Sequence, residues 1–260
     1  MPLPGIGIHP GLVWRFGGAP SAVNLASYRE THVKATCAVA GQAAQHSSPH
    51  AVAYRLAFER RRDWLQQRAA CRPIAIAGRL ETGIGEPGVF ECQVALHPVT
   101  GLPRLPGSGL KGLLARWSLD RQARLAADDQ ALLTRDTLRA LFGSRPGEPT
   151  LHAGLLTVHD AWWVPAAPGA AVRGPLEPER VTPHHREYYA GQPGAEATEF
   201  DSPNPVPRIA MAGTLFFAID HEGIGPTWAQ RCMDWLHLAL AEDGAGAARQ
   251  LGYGRFVPPP

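Results

Sequence analysis

Apolar residues recur at two different spacings along the chain, and the change of spacing divides it into elements. In residues 73–81, Ile74, Ile76 and Leu80 alternate with Ala75, Ala77 and Arg79. In residues 89–97, Phe90, Cys92, Val94 and Leu96 alternate with Glu91, Gln93 and His97. A period of two with one polar face predicts half-buried strands. The stretch from Gly83 to Gly88 between them is turn sequence, so the pair is expected to form a hairpin. Further on, Leu110, Leu113, Leu114 and Trp117 stand at i, i+3, i+4 and i+7. That spacing predicts a helix with one buried stripe. Trp228, Cys232, Trp235, Leu236 and Ala239 predict another helix over 226–241, and Leu215, Phe217 and Ile219 share one face of a strand over 209–220. A helical stretch over 129–142 stops at Gly143, and a strand is expected over 151–164.

The remaining segments carry weaker patterns. Residues 1–20 read as a Pro- and Gly-rich loop, and residues 22–40 as helical. Ser47, Ser48 and Pro49 make a helix start, and that helix is expected to reach about Cys71. It carries Arg60, Arg61 and Arg62, read first as a solvated face and second as an RNA contact. Residues 165–208 hold nine prolines and little periodicity, which predicts a long irregular insertion. The order of strands, helix, strands and helix predicts an α+β domain over 73–260, with helices on one face of an antiparallel sheet. Residues 1–72 precede it as a partly helical extension. No internal repeat is visible.

Composition narrows the function classes. The chain has 260 residues, 45% of them hydrophobic and 18% charged, enough to build a core and too little charge for wholesale disorder. The formal net charge of +2 does not by itself mark a nucleic-acid binder. Of 25 basic residues only Lys34 and Lys111 are lysines, a bias that a GC-rich coding sequence explains. Cys37, Cys71, Cys92 and Cys232 are scattered and form no CxxC pair, so a zinc ribbon is not expected and free thiols in a reducing cytoplasm fit. No signal peptide and no bilayer-spanning apolar run is read.

Chemistry gathers in two glycine-rich loops. Gly107, Gly109 and Gly112 surround Ser108 and Lys111 where a loop runs into a helix N-terminus. Bare backbone amides and the helix dipole favour a phosphate there, and Lys111 adds a charge. The alternative is a tight strand-to-helix turn without a ligand. The segment is not a Walker A loop, because Gly112 stands where that motif needs a hydroxyl residue after its lysine. The second loop holds Gly244, Gly246, Gly252 and Gly254 around Arg249, Tyr253 and Arg255. Arginine binds phosphate and tyrosine stacks on bases; a plain turn packing its Tyr and Phe on the domain is the alternative. A third feature, Pro183-His184-His185-Arg186-Glu187-Tyr188-Tyr189, is read as a surface loop in preference to a metal site, with base stacking by Tyr188 or Tyr189.

The segment from Gly101 to Gly112 resembles the signature of the RAMP (repeat-associated mysterious protein) superfamily, a Pro-Gly-Ser-Ser-Leu-Lys-Gly run opening the first helix. Residues from Gly244 to Phe256 resemble that superfamily's C-terminal glycine-rich loop. The Pro183-His184 and Tyr188-Tyr189 segment, with Pro203 to Pro207, is similar to the sixth RAMP subunit of type III-B (Cmr) CRISPR effector complexes. Two positions depart from the pattern: Gly109 replaces a second Ser, and Ala248-Arg249 replace Lys-Thr. The resemblance implies a ferredoxin-like (RRM-like) domain in a cytoplasmic ribonucleoprotein. It implies a non-catalytic subunit near the 3′ end of the guide RNA, in contact with target RNA and with backbone RAMP and small helical subunits. No cofactor, metal, membrane or small-molecule substrate is expected. The residues expected on RNA are Arg104, Gly107, Ser108, Gly109, Lys111, Gly112, Arg116, His184, Tyr188, Gly244, Gly246, Arg249, Gly252, Tyr253 and Arg255. Two other functions stay open: a metal-independent endoribonuclease using His184 or His185 as general base, and a structural spacer.

Overall fold

The computed structural model describes residues 25–44, 49–83, 94–121, 131–144, 151–166, 175–182, 184–201 and 205–259. Ser47, Ser48, most of the expected second strand, Pro183 and Pro203 lie outside them. Two helices come first, α1 (Leu25–Ala44) and α2 (Pro49–Gln66). Pro49 opens α2 as the sequence predicts, but the helix stops at Gln66 and Cys71 belongs to the next strand, β1 (Ala69–Ala75). The chain continues through β2 (Arg104–Leu105), α3 (Gly107–Arg121), α4 (Arg135–Phe142) and β3 (Ala161–Trp163). Next come β4 (Leu176–Val181), the single turn α5 (Arg186–Tyr189), β5 (Val206–Met211), β6 (Thr214–Asp220) and α6 (Gly225–Glu242). Local signals set several ends. Thr134 caps α4 by accepting from the Thr137 amide, Gly143 closes it at φ 92°, and Pro226 sits in the first turn of α6.

The main sheet is antiparallel, in the order β1-β6-β3-β2. Beyond β1, Ile76 bridges Phe256 and the Val257 amide donates to the Ala75 carbonyl, so the C-terminal segment borders the sheet. The expected hairpin is corrected in one respect. The run around Ile74 pairs with β6, as in Pro73↔Phe216 and Ile74↔Leu215, and of the second run the described Leu96 bridges Pro103. Contact with that second run survives near the turn, where the Ala95 amide donates to Thr82 Oγ1 at 3.4 Å.

Helices cover both faces of this sheet, which corrects the expectation of one. Neighbouring residues on a strand point to opposite faces. Phe216 meets Phe58 of α2 edge-on at 5.7 Å, and Tyr54 of α2 donates its hydroxyl to the Trp163 carbonyl at 2.5 Å. On the other face Arg72, opposite Phe217 in the register, reaches Asp234 of α6 at 2.6 Å. Phe217 packs edge-on against Phe256 there. Trp117 of α3 and Trp235 of α6 are fully buried, each side chain contributing roughly 1.5–3 kcal/mol of burial. The arginine run on α2 splits: Arg61 lies over the Trp162 ring at 4.5 Å and donates to the Asp160 carbonyl, Arg62 pairs with Asp63, and Arg60 is exposed.

The expected irregular insertion is also corrected. Its ends form a regular two-stranded ribbon, β4 with β5, in the register Leu176↔Met211 to Val181↔Val206. Prolines at 178 and 207 hide it from a period-two reading. Charge ties the ribbon to the domain: Arg79 pairs with Glu177 and Glu179, and Arg208 donates to the buried Glu81 at 2.8 Å. Among the described residues no helix is long and apolar enough to cross a membrane.

Candidate nucleic-acid interface

The loop before α3 and the loop after α6 come together in the tertiary structure. They line one cleft of about 440 Å³. One wall is the outer side of α3, with Gly109, Gly112 and Arg116. The opposite wall is the C-terminal loop, with Asp243, Gly244, Gly246, Ala247 and Arg249. Thr82 and Gly83 also line it, over an apolar floor that includes Leu105, Leu110 and Leu113.

The glycines of the two walls differ in what surrounds them. Among the described residues, a Cβ built on Gly109 or Gly112 meets no atom within 4 Å. Both residues are exposed and lie inside a helix, where glycine costs about 1 kcal/mol relative to alanine. The described residues supply no steric reason for them. Together with Arg116 they occupy i, i+3 and i+7, one face of α3 turned to the cleft. On the other wall a Cβ on Gly246 would lie 2.1 Å from the Glu81 carbonyl oxygen, and one on Gly254 1.9 Å from that of Ala245. Those glycines let backbone pack on backbone. The Ala245, Ala247 and Gly254 amides donate to Gly254, Glu81 and Arg79 carbonyls, so they are spent inside the protein.

The RAMP superfamily pattern matches residues 16–257. The chain belongs to the RAMP superfamily. It is 23% identical over 227 residues to the CRISPR system Cmr subunit Cmr6 of Pyrococcus furiosus. That match covers 69% of this chain and 65% of the relative, so the chain spans just under two thirds of that relative's length. Among solved structures, the type III-B Cmr-beta complex bound to cognate target RNA contains a chain of the same fold. There the identity is 18%, the TM-score 0.58, and the match covers 88% of this chain and 72% of that one.

The RAMP signature residues do not all reach the cleft. Lys111 turns away and donates to the Leu156 carbonyl at 2.8 Å and the Gly154 carbonyl at 3.4 Å. Arg104 pairs with Asp160 at 2.5 Å. The Gly107 amide, the first of the RAMP helix, donates to the other Asp160 oxygen at 2.8 Å, and a Cβ there would collide with the Val158 carbonyl. A carboxylate thus takes the first-turn amide that the sequence reading gave to a phosphate. Ser108 is exposed on the same turn. Arg116 is exposed and pairs at 3.4 Å with Asp120. Arg249 reaches the Asp243 carbonyl at 3.4 Å. Both guanidiniums remain at the cleft wall.

The other expected positions lie off the lining. Gly252 has open space around it. Tyr253 is half-buried, and burial together with the Glu81 carboxylate pushes its phenol upward. Arg255 gives its backbone carbonyl to the Ala77 amide. His184 and Tyr188 belong to the segment beyond β4, where His185 Nδ1 meets Asp201 at 2.5 Å and Tyr188 and Tyr189 are exposed. Sequence reasoning missed Thr82, Gly83 and Asp243 on the lining and Asp160 beneath it. Asp160 lies 53 residues from Gly107, and no local pattern links them.

The sheet itself offers no open stacking platform among the described residues. RRM-type modules bind bases on an exposed sheet face. Here α2 places Tyr54 and Phe58, both buried, over the face that α3 and α6 leave uncovered.

Proposed function

We propose that this RAMP protein is a non-catalytic, RNA-binding subunit of a type III-B CRISPR effector complex, holding the guide RNA near its 3′ end in the cleft between α3 and the C-terminal loop. One observation carries the reading. Gly109 and Gly112 make a bare helical surface that the fold does not require, opposite Arg249 and beside Arg116. A ribose–phosphate strand fits such a surface, because backbone can approach closely and guanidinium pairs with phosphate. The likeness to Cmr6 and to a chain of the type III-B complex supports the choice of assembly. The partners in this reading are guide and target RNA, backbone RAMP subunits and small helical subunits, in the cytoplasm.

The reading includes a ferredoxin-like domain. Taking β1, α3, β3, β6, α6 and the segment at Phe256 in chain order gives strand, helix, two strands, helix, strand. Their spatial order, with Phe256 beside β1, then β6, then β3, supports that reading. Residues 1–72 are read as an extension whose second helix covers the sheet.

RNA–protein crosslinking on the purified complex tests the function. Crosslinks are expected in the peptides carrying residues 108–116 and 243–249. A complex that assembles with no crosslink to this chain would make it a spacer and end the RNA reading.

A second reading rests on the pairing of His185 with Asp201, which orients an imidazole as general bases require. The His185 ring donates to Asp201, and that bond with those from Thr198 holds the carboxyl below its ordinary range. Incubation with CRISPR repeat RNA in EDTA decides it: specific cuts lost in His185→Ala establish an endoribonuclease, and intact RNA rejects it.

A further inference from the structure

Segment 154–160 grips the first turn of α3 at three points. Lys111 Nζ donates to the carbonyls of Leu156 and Gly154. The Asp160 carboxylate accepts from the Gly107 amide and from Arg104. The Val158 carbonyl lies where a Cβ of residue 107 would be, so only glycine lets the two backbones meet. The segment is itself fixed from behind. The Leu155 and Leu156 amides donate to the Ala140 and Leu141 carbonyls at the end of α4, and Gly154 packs against the Phe142 backbone. Arg61 of α2 holds the Asp160 carbonyl.

We infer that Lys111 and Asp160 are positioning residues of the cleft: neither touches RNA, and together they set the rotation of α3 that turns Gly109, Gly112 and Arg116 toward the C-terminal loop. The inference rests on the RNA reading of that cleft. It reverses the role that the signature lysine suggests from sequence, since a lysine in a phosphate loop is expected to hold phosphate. Two facts oppose that expectation. The ammonium already has two carbonyl acceptors, and burial lowers its proton affinity below the ordinary lysine range. The Asp160 carboxylate also stands against that turn, where it repels a phosphate.

Salt dependence separates positioning from contact, because each phosphate contact to a single strand adds about 0.7 to the slope of log affinity against log salt. The probe is a fluorescein-labelled, mixed-sequence single-stranded RNA, titrated with the full chain between about 50 and 200 mM salt, the range in which such slopes are read. Added to Arg116→Ala, which has already removed the phosphate contact that the rotation of α3 carries, Lys111→Met is expected to weaken binding by about a further tenfold at every salt concentration with the slope unchanged. Asp160→Ala is expected to weaken binding too, although removal of a negative charge near an anion site strengthens it by charge alone. If Asp160→Ala does not fold, Asp160→Asn keeps an acceptor for Gly107 and is expected to bind no tighter than the unaltered chain. A slope lowered by about a further 0.7 on adding Lys111→Met to Arg116→Ala, unchanged affinity on that addition, or tighter binding in either Asp160 variant overturns the inference. Arg116→Ala and Arg249→Ala are each expected to lower the slope by that same amount, about 0.7. If neither arginine variant moves the slope or the affinity, the cleft reading itself fails, and the positioning role falls with it.

Discussion

The two glycine-rich segments look alike in sequence and are opposites in the molecule. At the start of α3, Gly109 and Gly112 face open space and weaken the helix that contains them. After α6, Gly246 and Gly254 are jammed against carbonyl oxygens of Glu81 and Ala245. One pair is bare where no described neighbour requires it; the other is bare so that the chain can fold onto itself. A glycine-rich signature is therefore two signals, and only the distance from the missing Cβ to its neighbours tells them apart.

That contrast breaks most sharply at Gly254. Gly254→Ala meets a carbonyl at 1.9 Å with φ at 71°, and is expected to cost roughly 3 kcal/mol or more, read as a lower urea midpoint. A loss below about 1 kcal/mol would show that the loop is not locked. The next largest effect belongs to the paired arginines. Arg116→Ala with Arg249→Ala is expected to cut RNA affinity by about 2–3 kcal/mol, roughly thirtyfold to a hundredfold, while the melting temperature stays unchanged. Full affinity in the double variant would empty the cleft of its proposed role.

Gly252 sharpens the comparison from within one loop. Its φ of 89° resembles that of Gly254, but nothing lies within 4 Å of its Cβ position. Gly252→Ala is therefore expected to cost only the left-handed strain, about 1–2 kcal/mol by the same urea titration. A cost equal to that of Gly254→Ala would mean that backbone strain, not crowding, governs the loop. The smallest effect has the opposite sign. Gly109→Ala and Gly112→Ala are each expected to stabilise the protein by roughly 0.5–1 kcal/mol and yet weaken RNA binding. Stabilised variants that bind as before would leave these two glycines without a function.

Legibility in the sequence followed the range of the interactions. The stripe from Leu110 to Trp117 and that from Trp228 to Ala239 marked α3 and α6, because a helix face repeats within a few residues. Pro49, Gly143 and Pro226 marked ends for the same local reason. The ribbon β4–β5 was not legible, since its prolines break the period and its paired residues lie from 25 (Val181↔Val206) to 35 (Leu176↔Met211) positions apart. The candidate site was half legible. Its two loops stood out by composition and do converge, but composition could not show that Lys111 and the Gly107 amide bond to partners inside the chain.

The sequence by itself determined membership of the RAMP superfamily, the main helices and the two loops worth attention. Periodicity and punctuation are written residue by residue, and no distant partner is needed to read them. Only the tertiary structure decided that α2 closes the second sheet face, that β1 pairs with β6, and that Lys111 bonds inward while Gly109 and Gly112 look out. The contacts that settle these run from 43 positions apart (Lys111 to Gly154) to 158 (Phe58 to Phe216), brought near by burial of a shared core, and burial has no local spelling.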